Sequence, residues 1–210
     1  MSYIETIAPE EAEGEVLAMY QRQQAHFGYL PNYARVFSHR PDVMASWASL
    51  LASIRRHVEP RRFELVTLAA AQALGNSYCA LAHARALGEL LGMDAARDLV
   101  AGKAGTLSDA ESAMMAFARK VACEAPAVTA EDVEGLRDHG LGDDEIFDIV
   151  AVAAARAFFT RILDGLGTEP DSAYRSLPAE LLGALTVGRP IARVETGDAI
   201  PHRSDPVESP

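Results

Sequence analysis

Val43, Met44, Trp47, Leu50, Leu51 and Ile54 recur with the spacing of one helix face, and no stretch of the chain alternates apolar and polar residues as a half-buried strand does. Asn-Gly and Asp-Gly turns between strand-like runs are also absent. Alanine runs such as Ala69-Ala70-Ala71 and Ala153-Ala154-Ala155 add the best helix former and let helices approach closely. Aromatic residues make up only 7%, which weighs against a sandwich or barrel. These features predict an all-α fold of eight or nine helices. At 210 residues the chain is long enough to bury a proper core.

Caps and breakers mark the predicted helices. Pro9-Glu10-Glu11 reads as a helix start, with acids where the dipole favours them, running to about Gln24. A short helix is expected over 33–39, then one ahead of the Glu59-Pro60 start. Residues 63–74 are nearly all apolar, so that helix should be buried. Gly75 is placed to end it in the left-handed conformation, and Asn76 to cap a helix that stops at Gly92. A further short helix follows Asp94. Ser108-Asp109-Ala110-Glu111 is a capping box, Thr129 opens another helix, and a long one ends at Gly165. The expected organisation is a single domain over 1–182, with amino-terminal helices to about 57 and a core over 58–182. The Pro- and Gly-rich stretch 183–210 leaves no room for a helix and reads as an extended tail. If ordered, such a tail would be an arm lying on a neighbouring subunit.

The net charge of −11 is a poor match for nucleic acid. Two cysteines, Cys79 and Cys123, do not make a disulfide scaffold and fit a reducing cytosol. Residues 2–15 are polar and acidic rather than a signal peptide. The purest apolar run, 146–159, is too short to span a bilayer and carries Asp148 and Arg156. A cytoplasmic protein with no membrane partner is the expectation.

Three residues stand out chemically: Glu64, Cys79 and His83. Glu64 sits inside an apolar run, where an unpaired charge is costly. Cys79 and His83 are four apart and share one helix face. With Asn76 as cap, Cys79 is the third helical residue, where the dipole and free N–H groups favour a thiolate. Glu64 would orient His83, and the imidazole would take the thiol proton or lower its pKa. The plain alternative is a small core cysteine and a packing histidine. A metal site from these three falls short of the four-ligand sets of structural zinc. Tyr78 either lines a pocket or packs. Cys123 reads as a packed cysteine with nothing to mark it reactive. No phosphate loop or other cofactor motif appears, so no cofactor is called for.

The stretch Phe63-Glu64 … Asn76-Ser77-Tyr78-Cys79-Ala80-Leu81-Ala82-His83 resembles the alkylhydroperoxidase D-like, carboxymuconolactone decarboxylase superfamily. Tyr29-Leu30-Pro31-Asn32, Ser38-His39-Arg40-Pro41 and the run from Leu141 to Gly167 are similar to its peroxidase-related subgroup. The resemblance implies a multi-helical fold with a helical hairpin bearing the motif, and homo-oligomers. In its redox branch the second cysteine of CxxC attacks a hydroperoxide, and a glutamate and histidine relay the proton. The first cysteine then resolves the sulfenic acid. Here Asn76 stands at the first-cysteine position. The implied activity is a thiol-dependent peroxidase serving antioxidant defence. Cys79 is its nucleophile, Glu64 and His83 its relay, and Asn76 and Tyr78 line the site. An external thiol or dithiol is the reductant. The alternatives are a carboxymuconolactone decarboxylase-like lyase using Glu64 and His83, or a helical oligomer that has lost turnover.

Overall fold

The computed structural model describes residues 2–193. Among them lie ten α-helices and four short 3-10 segments. In chain order the helices are α1 (Gly14–Phe27), α2 (Asn32–Val36), α3 (Pro41–Arg55), α4 (Pro60–Ala73), α5 (Ser77–Leu91), α6 (Met93–Val100), α7 (Asp109–Glu124), α8 (Ala130–Asp138), α9 (Asp143–Gly165) and α10 (Ala179–Leu185). The fold is all-α, and no strand occurs among the described residues.

Helix α4 is the centre. Every residue from Phe63 to Ala71 is buried, and it packs against α5, α7 and α9. Pro60 opens it, and the Glu59 carboxylate accepts from the backbone N–H of Arg61 (3.0 Å) and Arg62 (2.8 Å). Gly75 ends it at φ +70°, and the N–H of Asn76 reaches back to the Ala71 carbonyl at 3.0 Å. This is a Schellman closure, and it turns the chain directly into α5. The expected hairpin of two helices thus follows from one glycine and one capping asparagine. Salt bridges from Arg61 to Glu111 and from Arg62 to Glu145 tie the start of α4 to the starts of α7 and α9. The capping box at Ser108/Glu111 forms as read from the sequence, and Thr129, read as a helix start, forms one with Asp132.

Two expectations fail locally. The helix expected from Pro9 is a single 3-10 turn, Pro9–Glu11; Ala12 is extended and α1 starts only at Gly14. Gly14 sits at φ +53°, a conformation that breaks a right-handed helix. The second concerns the tail, because α10 runs through residue 183 to Leu185. Leu181 and Leu185 are fully buried, and α10 packs on α5 and α6, so tertiary contact overrides the glycine. Residues 186–193 then fold back along their own chain. The N–H of Gly188 donates to Ser77 Oγ (2.8 Å), Arg189 donates to the Asp164 carbonyl (2.8 Å), and Arg175 donates to the Ile191 carbonyl (2.9 Å). The rest of the expected tail, 194–210, lies outside the described residues. No described helix is long and apolar enough to cross a membrane.

Candidate active site

The α4–α5 hairpin sets Glu64 beside His83. His83 Nδ1 donates to Glu64 Oε2 at 2.5 Å, and Glu64 is only 5% exposed. The isolated acid in the apolar run therefore has its partner. Arg55 lies 3.7 Å from the other carboxylate oxygen, with its guanidinium over the Phe63 ring and largely in solvent. Burial, and next the positive charge of Arg156, push the His83 pKa down; the bond to Glu64 opposes them. The imidazole is thus favoured in its neutral form, with Nδ1–H toward Glu64 and Nε2 left as an acceptor.

Cys79 is the third residue of α5, and its N–H donates to Asn76 Oδ1 at 2.8 Å. Asn76 is the cap that the sequence predicts, and it pulls the Asp164 pKa down against the burial that raises it. The sulfur, however, is not bonded to the acid–imidazole pair. Among the described residues its side-chain hydrogen bond comes from Arg156 NH1, at 3.4 Å. Cys79 is 2% exposed, and burial pushes its pKa up; Arg156 works against this, and Asp164 adds to it. The easily ionised thiol expected from the helix entrance is therefore overturned by burial. A helix start favours a thiolate, but removing the sulfur from water disfavours it more.

Arg156 is the group that sequence reasoning missed, having marked it only as a charge within an apolar run. It lies on α9, is 4% exposed, and forms no salt bridge among the described residues. Its guanidinium is flanked by the rings of Trp47 (5.8 Å) and Phe159 (5.6 Å). Trp47 stacks on Phe159 at 4.2 Å, and Phe159 on Phe37 at 5.8 Å. A buried charge in a long apolar helix was the available signal, because such a charge needs a reason.

Tyr78 is buried. Its hydroxyl donates to Asp171 Oδ2 at 2.5 Å. Asp171 also accepts from the Asn32 N–H (2.7 Å) and the Tyr29 hydroxyl (3.1 Å). Burial raises the Tyr78 pKa, and Asp171 adds to that shift; burial also raises that of Asp171, against its hydrogen bonds. This buried node ties the Tyr29–Asn32 segment and the chain after α9 to the start of α5. Cys123 is exposed near the end of α7, and both cysteines are free. Outside the aromatic wall, Trp47, Leu50, Ile54, Ala151, Ala155 and Phe158 line an apolar groove of 590 Å³ between α3 and α9.

The profile of the carboxymuconolactone decarboxylase family matches residues 41–92, a span that holds Glu64, Cys79 and His83. No curated protein matches the chain significantly. Among solved structures, an alkylhydroperoxidase AhpD core, an uncharacterized peroxidase-related protein from Ralstonia eutropha JMP134, has a TM-score of 0.72 at 23% identity, covering 82% of this chain and 94% of that one. A peroxidase-related protein from Silicibacter sp. TM1040 has a TM-score of 0.70 at 19% identity, covering 83% and 94%. The debrominase Bmp8, in complex with 2,3,4-tribromopyrrole as a cysteine-to-alanine variant, has a TM-score of 0.70 at 16% identity, covering 86% and 100%. At these identities the structural likeness establishes the fold.

Proposed function

We propose, for a chain that belongs to the alkylhydroperoxidase D-like, carboxymuconolactone decarboxylase superfamily, a thiol-dependent reduction of small hydroperoxides at Cys79. The observation that carries this reading is the sulfur's contact with a buried guanidinium that has no carboxylate partner among the described residues. Burial keeps the Cys79 thiol protonated, and the guanidinium opposes that burial and would stabilise the thiolate once the proton has left. Peroxidase-related proteins and a debrominase share the fold, so it serves more than one substrate class.

In this mechanism the thiol proton leaves toward the acceptor nitrogen of His83, which Glu64 holds in the correct tautomer. His83 lies one turn from Cys79 on α5, and Arg156 acts on both. The thiolate attacks the outer oxygen of the hydroperoxide. An S–O bond forms, the O–O bond breaks, and the alkoxide leaves and takes up a proton. Cysteine is oxidised to the sulfenic acid as the peroxide is reduced to an alcohol. Asn76 offers no second thiol, so an external thiol condenses with the sulfenic acid and releases water. A second external thiol then frees Cys79. We further place this chain as a homo-oligomer, for which the exposed Leu50, Phe147 and Phe158 supply apolar contact surface.

The test is consumption of cumene hydroperoxide with an excess of thiol, together with trapping of sulfenic acid at Cys79. Cys79→Ser should abolish both while the helical circular dichroism is kept; full consumption in that variant rejects the reading. A second reading, an acid–base lyase, is favoured by one observation: the Glu64–His83 pair is complete without the sulfur. There Cys79→Ser would retain decarboxylation of a carboxylactone and Glu64→Gln would lose it.

A further inference from the structure

Cys79, Arg156 and Glu64 are all buried, so packed side chains seal the sulfur from solvent. A hydroperoxide meets it when a covering element moves. One stripe of α3 covers both halves of the site. Trp47, Leu51 and Arg55 are spaced four apart and share a face of that helix. Trp47 lies over the Arg156 guanidinium and stacks on Phe159 at 4.2 Å. Arg55 lies over the Phe63 ring and 3.7 Å from the Glu64 carboxylate. Leu51, midway along the stripe, is partly buried against the core.

This cover is lightly held. Met44 is the one buried residue among the fifteen of α3, whereas α4 is buried without a break from Phe63 to Ala71. Leu50 is exposed, and the 590 Å³ groove already parts α3 from α9 on the outer side. Two polar ties hold the stripe down: Trp47 Nε1 donates to the Ala155 carbonyl at 3.3 Å, and Arg55, largely in solvent, meets Glu64. An ion pair that open to water holds weakly. The adjoining α2 is pinned instead, with the Asn32 N–H on Asp171 (2.7 Å) and its side-chain amide on the Glu169 carbonyl (3.1 Å). A helix with so few buried contacts opens at lower free energy than the core beneath it.

We infer that α3 is a lid on the Cys79 site, whose Trp47–Leu51–Arg55 stripe lifts from Arg156 and Glu64 to admit substrate and closes again to exclude water. The identity of that substrate rests on the thiol-peroxidase reading; the movement is measured without peroxide. Opening also lets water reach the sulfur, which relieves part of the desolvation that keeps the thiol protonated.

The test uses the Cys123→Ala protein, in which Cys79 is the sole thiol. Hydrogen exchange reports the opening of α3 and α4, and iodoacetamide labelling reports that of Cys79, both at a series of low urea concentrations. Amides of α3 should exchange about 10²-fold faster than those of α4. Cys79 labelling should share the shallow urea dependence of α3 rather than the steep one of global unfolding. Trp47→Ala removes the stacked latch and should speed α3 exchange and Cys79 labelling by the same factor, about tenfold. Leu136→Ala, in the core under α8, should lower the global unfolding midpoint and leave Cys79 labelling at the parent rate. Labelling that speeds up in Leu136→Ala, or follows α4 exchange in the parent, overturns the lid; so does a folded Trp47→Ala that labels at the parent rate. If Trp47→Ala fails to fold, the parent and Leu136→Ala decide. A parent whose Cys79 labelling follows α3 opening, yet whose sulfur cumene hydroperoxide leaves unoxidised, rejects the peroxidase reading and keeps the lid.

Discussion

Arg156 donates to the sulfur of Cys79 at 3.4 Å across 77 residues of sequence, and this pairing opposes the effect of burial on the thiol. Burial raises the thiol pKa and the guanidinium pulls it back in part. Cys79 alkylation should therefore rise with pH and reach its midpoint above the ordinary thiol value of 9.0. In Arg156→Met the midpoint should climb further, because the opposing charge is gone and burial remains. A midpoint below 9.0 in the parent would contradict the burial argument. Mass spectrometry of the Cys79 peptide separates its labelling from that of exposed Cys123.

His83 makes the opposite contribution at the acid end. Its folded pKa lies below the ordinary 6.5, so the unfolded chain gains its proton first as pH falls. The stability it contributes is complete above pH 6.5 and is lost as pH drops through the folded value. Thermal unfolding of the parent should show this decline below pH 6.5, and His83→Gln should flatten it. An unchanged slope in the variant would assign the decline to other groups.

Asn76 is both a helix cap and the residue that denies Cys79 a local resolving thiol. Asn76→Ala should cost about 1 kcal/mol in denaturant unfolding, since the Cys79 N–H loses its acceptor. Asn76→Cys should cost a similar amount, yet form a disulfide with Cys79 after peroxide treatment, read as the loss of two hydrogens by mass. A sulfenic acid that persists in that variant, with no disulfide, would show that the two side chains cannot meet.

Gly188 passes so close to the hairpin that a Cβ there would lie 2.0 Å from the Gly75 carbonyl oxygen. Its N–H donates to Ser77 Oγ, the first residue of α5. Gly188→Ala must push the segment away from the turn. It should destabilise the protein by about 1–3 kcal/mol, the usual range for overpacking. Gly183→Ala is the control, because nothing lies within 4 Å of its added Cβ. Equal unfolding midpoints for the two variants would mean that the 186–193 segment is not packed against the α4–α5 turn.

Much of the site was legible locally. Glu64 in an apolar run announced a buried partner, and the four-residue step from Cys79 to His83 put both on one face of α5. Gly75 and Asn76 announced the turn that brings α4 and α5 together. Each of these signals acts over a few residues, through backbone conformation, capping and helical periodicity.

By itself, then, the sequence determined the helices, most of their boundaries and the Glu64–His83 pairing, because short-range geometry decides those. Only the tertiary structure decided what the sulfur touches. Arg156 reaches it from α9, and the Asp171 node joins the Tyr29–Asn32 segment to the distant Tyr78. Burial likewise belongs to the assembled core, and it turns a thiol at a helix entrance, which local electrostatics would ionise, into one held protonated by its surroundings. The desolvation of a charge depends on everything packed around it, and no local pattern of residues carries that information.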